Sequence, residues 1–212
     1  MANPNNYVQL QYEAHKELDL ATEISQDEAA KRARHLCQWI KRAGLPADSF
    51  LDAGCRNGLA MEEFSTQFPA ARVVGIDIVP EFVESAALRG EAIVGDIQDI
   101  PYNNSEFDWV FSSHCIEHCP DSKKAAAELF RVAKVGCMVY TDLEDDTTFK
   151  SHPFHFTRHN DPIEWVDLFR HPEFWLMKLN VPRFTRIDIL WVRKAQVEKY
   201  NANYNIPVLE KL

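Results

Sequence analysis

At 212 residues the chain is long enough for one sizeable domain and short for two. Its 46% hydrophobic and 26% charged residues can fill a core, which argues against disorder. With 32 acidic against 23 basic residues the net charge is -9, so nucleic acid and anionic membrane surfaces are not favoured as partners.

The five cysteines include no CxxC pair; Cys115 and Cys119 are the nearest, four residues apart. Reduced thiols in a cytoplasmic compartment are expected rather than a disulfide framework. Met1–Leu10 is polar and Asn-rich, without the basic start and apolar run of a signal peptide. No stretch approaches the roughly 20 apolar residues that a membrane span needs. The sequence leaves the oligomeric state open.

In chain order, residues 1–24 read as an arm or a short helix, with Tyr7 and Tyr12 placed to close over a ligand. Ser25-Gln-Asp-Glu28 has the form of a capping box. The helix after it carries Ala29, Ala33, Leu36, Cys37 and Ile40 on one side and stops at Gly44 and Pro46. Strand and helix patterns then alternate. Strands are expected at Ser49–Ala53, Arg72–Ile78, Glu91–Val94, Phe107–Phe111 and Cys137–Thr141. Helices are expected at Leu59–Phe68, Pro80–Arg89 and Asp121–Ala133. The strands are mostly continuous apolar runs, which suits burial on both faces. Such alternation predicts an α/β fold with a parallel sheet and helices on both sides. Beyond Thr141 come a polar loop over Asp142–Asn160, a helix over Pro162–Phe169, and strands at Phe174–Leu179 and Arg186–Val192. The short link Asn180–Thr185 makes those two strands an antiparallel edge pair. The domain is expected over 25–197, with an uninformative tail over 198–212.

Four segments carry candidate chemistry. Leu51-Asp-Ala-Gly-Cys-Arg-Asn-Gly58 joins a strand to a helix, where the ligand crevice of an open parallel sheet lies. Asp77 ends the next strand, where an acid accepts from both ribose hydroxyls of a nucleoside. Gly95-Asp96 follows the third strand and offers a carboxylate to an adenine amino group. Ser151-His-Pro-Phe-His-Phe-Thr-Arg-His159 concentrates imidazoles after the fifth strand. His114-Cys-Ile-Glu-His118 spells H-x-x-E-H, a zinc-protease pattern. That chemistry needs both imidazoles on one helical face, and Pro120 stops a long helix there. A dinucleotide enzyme is disfavoured, since Arg56 breaks G-x-G-x-x-G.

The succession DAGCRNG, VVGIDI, GDIQDIPYNNSEFDWVFSSHCIEH resembles class I S-adenosylmethionine-dependent methyltransferases. It is most similar to the broad group related to ubiquinone and menaquinone biosynthesis C-methyltransferases, over Ser49–Tyr140. The resemblance implies a Rossmann-like three-layer α/β/α sandwich with a seven-stranded, mostly parallel sheet and an antiparallel C-terminal hairpin. It implies S-adenosylmethionine as cofactor and S-adenosylhomocysteine as product. Asp52, Gly54, Cys55 and Gly58 would form the cofactor loop. Asp77 would hold the ribose, with Ile78, Asp96 and Ile97 around the adenine. Ser112, Ser113 and His114 would face the methionine part. His114 and His155 are the candidate bases, and His152, His155 and Arg158 the candidate acceptor contacts. The histidines offer metal-ligating nitrogens, but no metal site is assigned. The family usually has Gly where Arg56 stands, and a positive φ disfavours any other residue. The expected acceptor is a small molecule or a sugar. The alternative is a non-catalytic scaffold or partner subunit that keeps the cofactor pocket.

Overall fold

The computed structural model describes residues 7–17, 23–144, 155–181 and 186–204. Seven strands form one sheet: β1 (Ser49–Ala53), β2 (Arg72–Asp77), β3 (Glu91–Val94), β4 (Phe107–Ser113), β5 (Ala133–Asp142), β6 (Phe174–Asn180) and β7 (Arg186–Arg193). Their order is β3-β2-β1-β4-β5-β7-β6. The first five are parallel, β7 runs antiparallel to β5, and β6 pairs antiparallel with β7. This is the expected sandwich with its antiparallel edge hairpin.

The helices are α1 (Tyr7–Glu17), α2 (Glu23–Ala43), α3 (Leu59–Gln67), α4 (Pro80–Ala86), α5 (Ser122–Val132), α6 (Pro162–Leu168) and α7 (Lys194–Tyr204). Alternate strand residues face opposite sides of the sheet. Leu51, Ala53, Phe107 and Val110 pack with α5 and α6 through Leu129, Phe130, Trp165 and Val166. Phe50, Trp109 and Phe111 pack with α2, α3 and α7 through Leu36, Ile40, Phe64 and Val197. Phe50 stacks on Phe64 with ring centroids 4.6 Å apart. The Asp121 side chain caps α5, accepting from the Lys124 N–H at 2.9 Å.

Several boundaries differ from expectation. α2 begins at Glu23, so Ser25 lies inside the helix rather than at its N-cap. β5 begins at Ala133 rather than Cys137. Gly136, a residue that weakens a strand signal, pairs with Trp109 across the sheet, and a Cβ there would stand 2.3 Å from the indole. The glycine makes room for a core tryptophan in mid-strand. α7 runs past residue 197 into the segment expected as a tail, anchored by the buried Val197.

Candidate active site

A cavity of about 450 Å³ opens where β1, β2 and β4 end, the place where an open α/β sheet receives ligands. Its β1 wall is a tight turn. The Gly54 and Cys55 N–H groups both donate to the Ile76 carbonyl, at 2.8 and 3.1 Å. Gly54 has φ 87°, and a Cβ on it would meet the Cys115 Sγ at 2.5 Å, so only glycine fits. Arg56 adopts the positive φ that its place in the loop requires, 46°. Its N–H donates to the Asp77 carboxylate at 2.8 Å, and its guanidinium lies 5.4 Å from the Phe82 ring centroid. Those contacts offset the cost of a left-handed backbone at a non-glycine residue, about 1–2 kcal/mol.

The carboxylates at the strand ends have distinct surroundings. Each oxygen of Asp77 accepts one backbone N–H, from Arg56 and from Val79 at 3.0 Å, which fixes the group at the cavity wall. Asp52 is buried, and burial together with the charge of Asp77 pushes its pKa up to about 8. Asp96 accepts from the Gln98 N–H at 2.8 Å and from the Tyr7 hydroxyl. Tyr7 belongs to α1, which lies across the crevice: Tyr7 and Gln11 line the cavity, and the Tyr12 hydroxyl donates to Glu81 at 2.7 Å.

Past β4 the chain turns sharply. His114 has φ 49°, and its N–H donates to the Tyr140 carbonyl at 2.8 Å. Its Nδ1 lies 3.3 Å from Glu117 and 3.4 Å from Asp142. Burial pulls the His114 pKa down, but Asp142 and Glu117 outweigh it and lift it to about 9. Burial pushes Glu117 up, yet His114, with the positive fields of His118 and His155, brings it down to about 2. The His155 Nδ1 is paired with the buried Glu144, and its ring meets that of His118 edge-on at 4.5 Å.

Comparison with known proteins decides what this crevice belongs to. Residues 51–141 match the family described as a methyltransferase domain. Residues 51–141 have the sequence of a class I methyltransferase domain. S-adenosylmethionine is the cofactor of that class. The methyltransferase domain is 31% identical over 116 residues to a malonyl-[acyl-carrier protein] O-methyltransferase from Dechloromonas aromatica, covering 53% of this chain and 44% of that protein. It is 36% identical over 100 residues to ajmaline N-methyltransferase from Rauvolfia serpentina, covering 43% and 34%. The chain thus spans under half the length of these curated relatives. In fold it is similar to a SAM-dependent methyltransferase from Aquifex aeolicus, with TM-score 0.61 and 17% identity over 91% of this chain and 100% of that one. No helix among the described residues is long and apolar enough to cross a membrane.

Of the residues singled out in the sequence, Asp52, Gly54, Cys55, Asp77, Ile78, Asp96, Ile97, Ser113, His114 and His155 line this cavity. Three others do not. Gly58 is the N-cap of α3, packed against Ala86. Ser112 is buried behind the wall and donates to the Ala53 carbonyl at 2.9 Å. Arg158, expected at the acceptor, is exposed and outside the lining, because the chain has turned towards α6 by then. His152 lies outside the described residues. The H-x-x-E-H segment is a short 3₁₀ turn over Ile116–His118, as Pro120 predicts. Asp142, Glu144 and Arg186 were not foreseen. Asp142 ends a strand on the crevice side, a signal that was available; Arg186 comes from β7, and nothing in the local sequence points to it.

Proposed function

We propose that this domain transfers a methyl group from S-adenosylmethionine to a small-molecule or sugar acceptor. The observation that carries the proposal is the Asp77 carboxylate, fixed by two backbone donors at the end of β2 on the wall of the cavity. A carboxylate has about four acceptor sites, so the group can accept ribose hydroxyls as well as backbone donors. Ile78, Ile97 and Phe82 give the adenine an apolar slot beside Asp96, and Gly54 keeps side-chain atoms out of the turn. Ser113, His114 and Cys115 line the methionine side. The residues present therefore suit the cofactor.

When bound, S-adenosylmethionine supplies an electrophilic methyl carbon on a sulfonium, and S-adenosylhomocysteine is the product. The chain aligns the acceptor and excludes water beneath α1. At about 9, His114 carries its proton at neutral pH and donates a hydrogen bond to an acceptor oxygen. It removes a proton only in the alkaline range. As a free imidazole, with no ion on it, His155 oriented by Glu144 is the second candidate for proton removal.

The test is calorimetry with S-adenosylmethionine, followed by turnover of methyl-labelled cofactor against hydroxyl, amine, sugar and carrier-linked carboxylate acceptors. We expect binding, transfer to one acceptor class, and at least tenfold weaker cofactor binding in Asp77→Asn, since a hydrogen bond to a charged group contributes roughly 1.5–3 kcal/mol. No heat of association in folded protein overturns the proposal. Binding without transfer to any acceptor supports the scaffold alternative.

A further inference from the structure

Glu117 is a buried carboxyl group that methyl transfer alone does not explain. It is 1% exposed, yet neither carboxylate oxygen takes a directed hydrogen bond among the described residues. Burying a polar group without a hydrogen-bond partner is costly whatever its charge. The nearest side-chain nitrogen, His114 Nδ1 at 3.3 Å, is shared with Asp142 at 3.4 Å. Glu117 also lines the cavity, with His118 and His155 beside it. One ligand atom from each of these three lies within 4.8 Å of the others. Bonds of about 2.0–2.2 Å to a common ion set ligand atoms roughly 3–4 Å apart, so small side-chain rotations complete the set.

We propose that Glu117, His118 and His155 bind one divalent cation of the zinc, cobalt or manganese kind on the acceptor side of the cavity. Two imidazoles and one carboxylate favour such ions over magnesium or calcium, which prefer all-oxygen shells. Three protein ligands leave coordination positions open, as at catalytic rather than structural sites. The scaffold is rigid where a metal site needs it. The Phe156 and Thr157 N–H groups donate to the Glu117 carbonyl at 2.8 and 3.1 Å, and the Thr157 hydroxyl donates to the Cys119 carbonyl at 3.2 Å. These bonds clamp the His155 segment to the 3₁₀ turn that holds the other two ligands. Glu144 engages the His155 Nδ1, the way a carboxylate orients a ligating imidazole. The open positions face the cavity and would hold an acceptor oxygen. That use rests on the methyl-transfer proposal; the binding of the ion does not.

The experiment adds Co²⁺ to chelator-stripped, full-length protein and follows its visible absorption, with equilibrium dialysis of Zn²⁺, Mn²⁺ and Mg²⁺ alongside. One ion per chain is expected, held more tightly for Zn²⁺ and Co²⁺ than for Mg²⁺. E117Q and H155Q should each weaken binding at least tenfold, while H159Q, in the same loop but paired with Glu164 outside the cavity, should not. Should E117Q or H155Q fail to fold, paramagnetic broadening of the His118 and His155 imidazole resonances by Mn²⁺ in the wild-type protein carries the test. Absence of a stoichiometric ion, binding indifferent to E117Q and H155Q, or unbroadened imidazoles overturns the site. S-adenosylhomocysteine binding, measured in parallel, separates the two proposals: its retention without metal binding sinks only the cation site, and its loss in wild-type protein sinks the cofactor assignment.

Discussion

Asp52 and Asp77 are both acids at strand ends, and their surroundings give them opposite roles. Asp77 takes two backbone donors that fix it at the cavity wall. Asp52, buried beside it, is held near pKa 8 and is mostly protonated at neutral pH. Its folded pKa exceeds the unfolded value of about 3.9, so the folded chain binds this proton more tightly. The stability it contributes is therefore complete below about pH 4, declines as pH rises, and is gone above about pH 8. Asp52→Asn should remove that slope. Between about pH 5 and pH 9 the wild-type melting temperature should fall more steeply than that of the variant, as read by calorimetry across the range. Parallel curves would show that Asp52 ionises normally. Both acids were legible in the sequence because each ends an apolar run. The altered state of Asp52 was not, since it depends first on burial and then on a carboxylate contributed by the neighbouring strand.

α1 is the element that completes the crevice. Its Tyr7 hydroxyl reaches Asp96, Tyr12 reaches Glu81, and the Gln11 amide reaches the His118 carbonyl at 3.4 Å. It thus ties the adenine side to the 3₁₀ turn that carries Glu117 and His118. One hydrogen bond contributes about 1 kcal/mol, close to a fivefold change in affinity. Tyr7→Phe should weaken cofactor binding by about that factor in a calorimetric titration, and Tyr7→Phe with Tyr12→Phe by more. Affinity unchanged in both variants would show that α1 takes no part in holding the cofactor. The arm with its two tyrosines was visible in the sequence as a possible cover, whereas the partners of those tyrosines were not. The same limit applies to the Glu117–His118–His155 cluster. Glu117 and His118 are neighbours, but His155 is brought to them by backbone bonds from Phe156 and Thr157 to Glu117. No local spacing encodes a meeting of that kind. The strands, in contrast, were readable because their apolar runs are local, and β5 was cut short only where Gly136 makes room for Trp109.

At the scale of the whole molecule, a single sheet divides two apolar cores, and the cavity sits across its upper edge. Because β1 and β4 send alternate side chains into both cores, neither face can unpack without releasing the other. The fold should then unfold in one cooperative step, as single domains of modest size usually do. Tryptophans report on each side separately: Trp109 with Trp39 on the α2 face, Trp165 and Trp191 on the α5 face. Phe50→Ala empties part of the first core and Leu129→Ala part of the second. Such truncations cost roughly 3–5 and 2–5 kcal/mol. Each variant should lower the denaturant midpoint seen by far-UV circular dichroism and by tryptophan emission to the same extent. Two separated transitions in either variant would mean that the cores melt independently. In that case the crevice, which draws its walls from both, would open before the rest of the protein unfolds, and cofactor binding would be lost at the first transition.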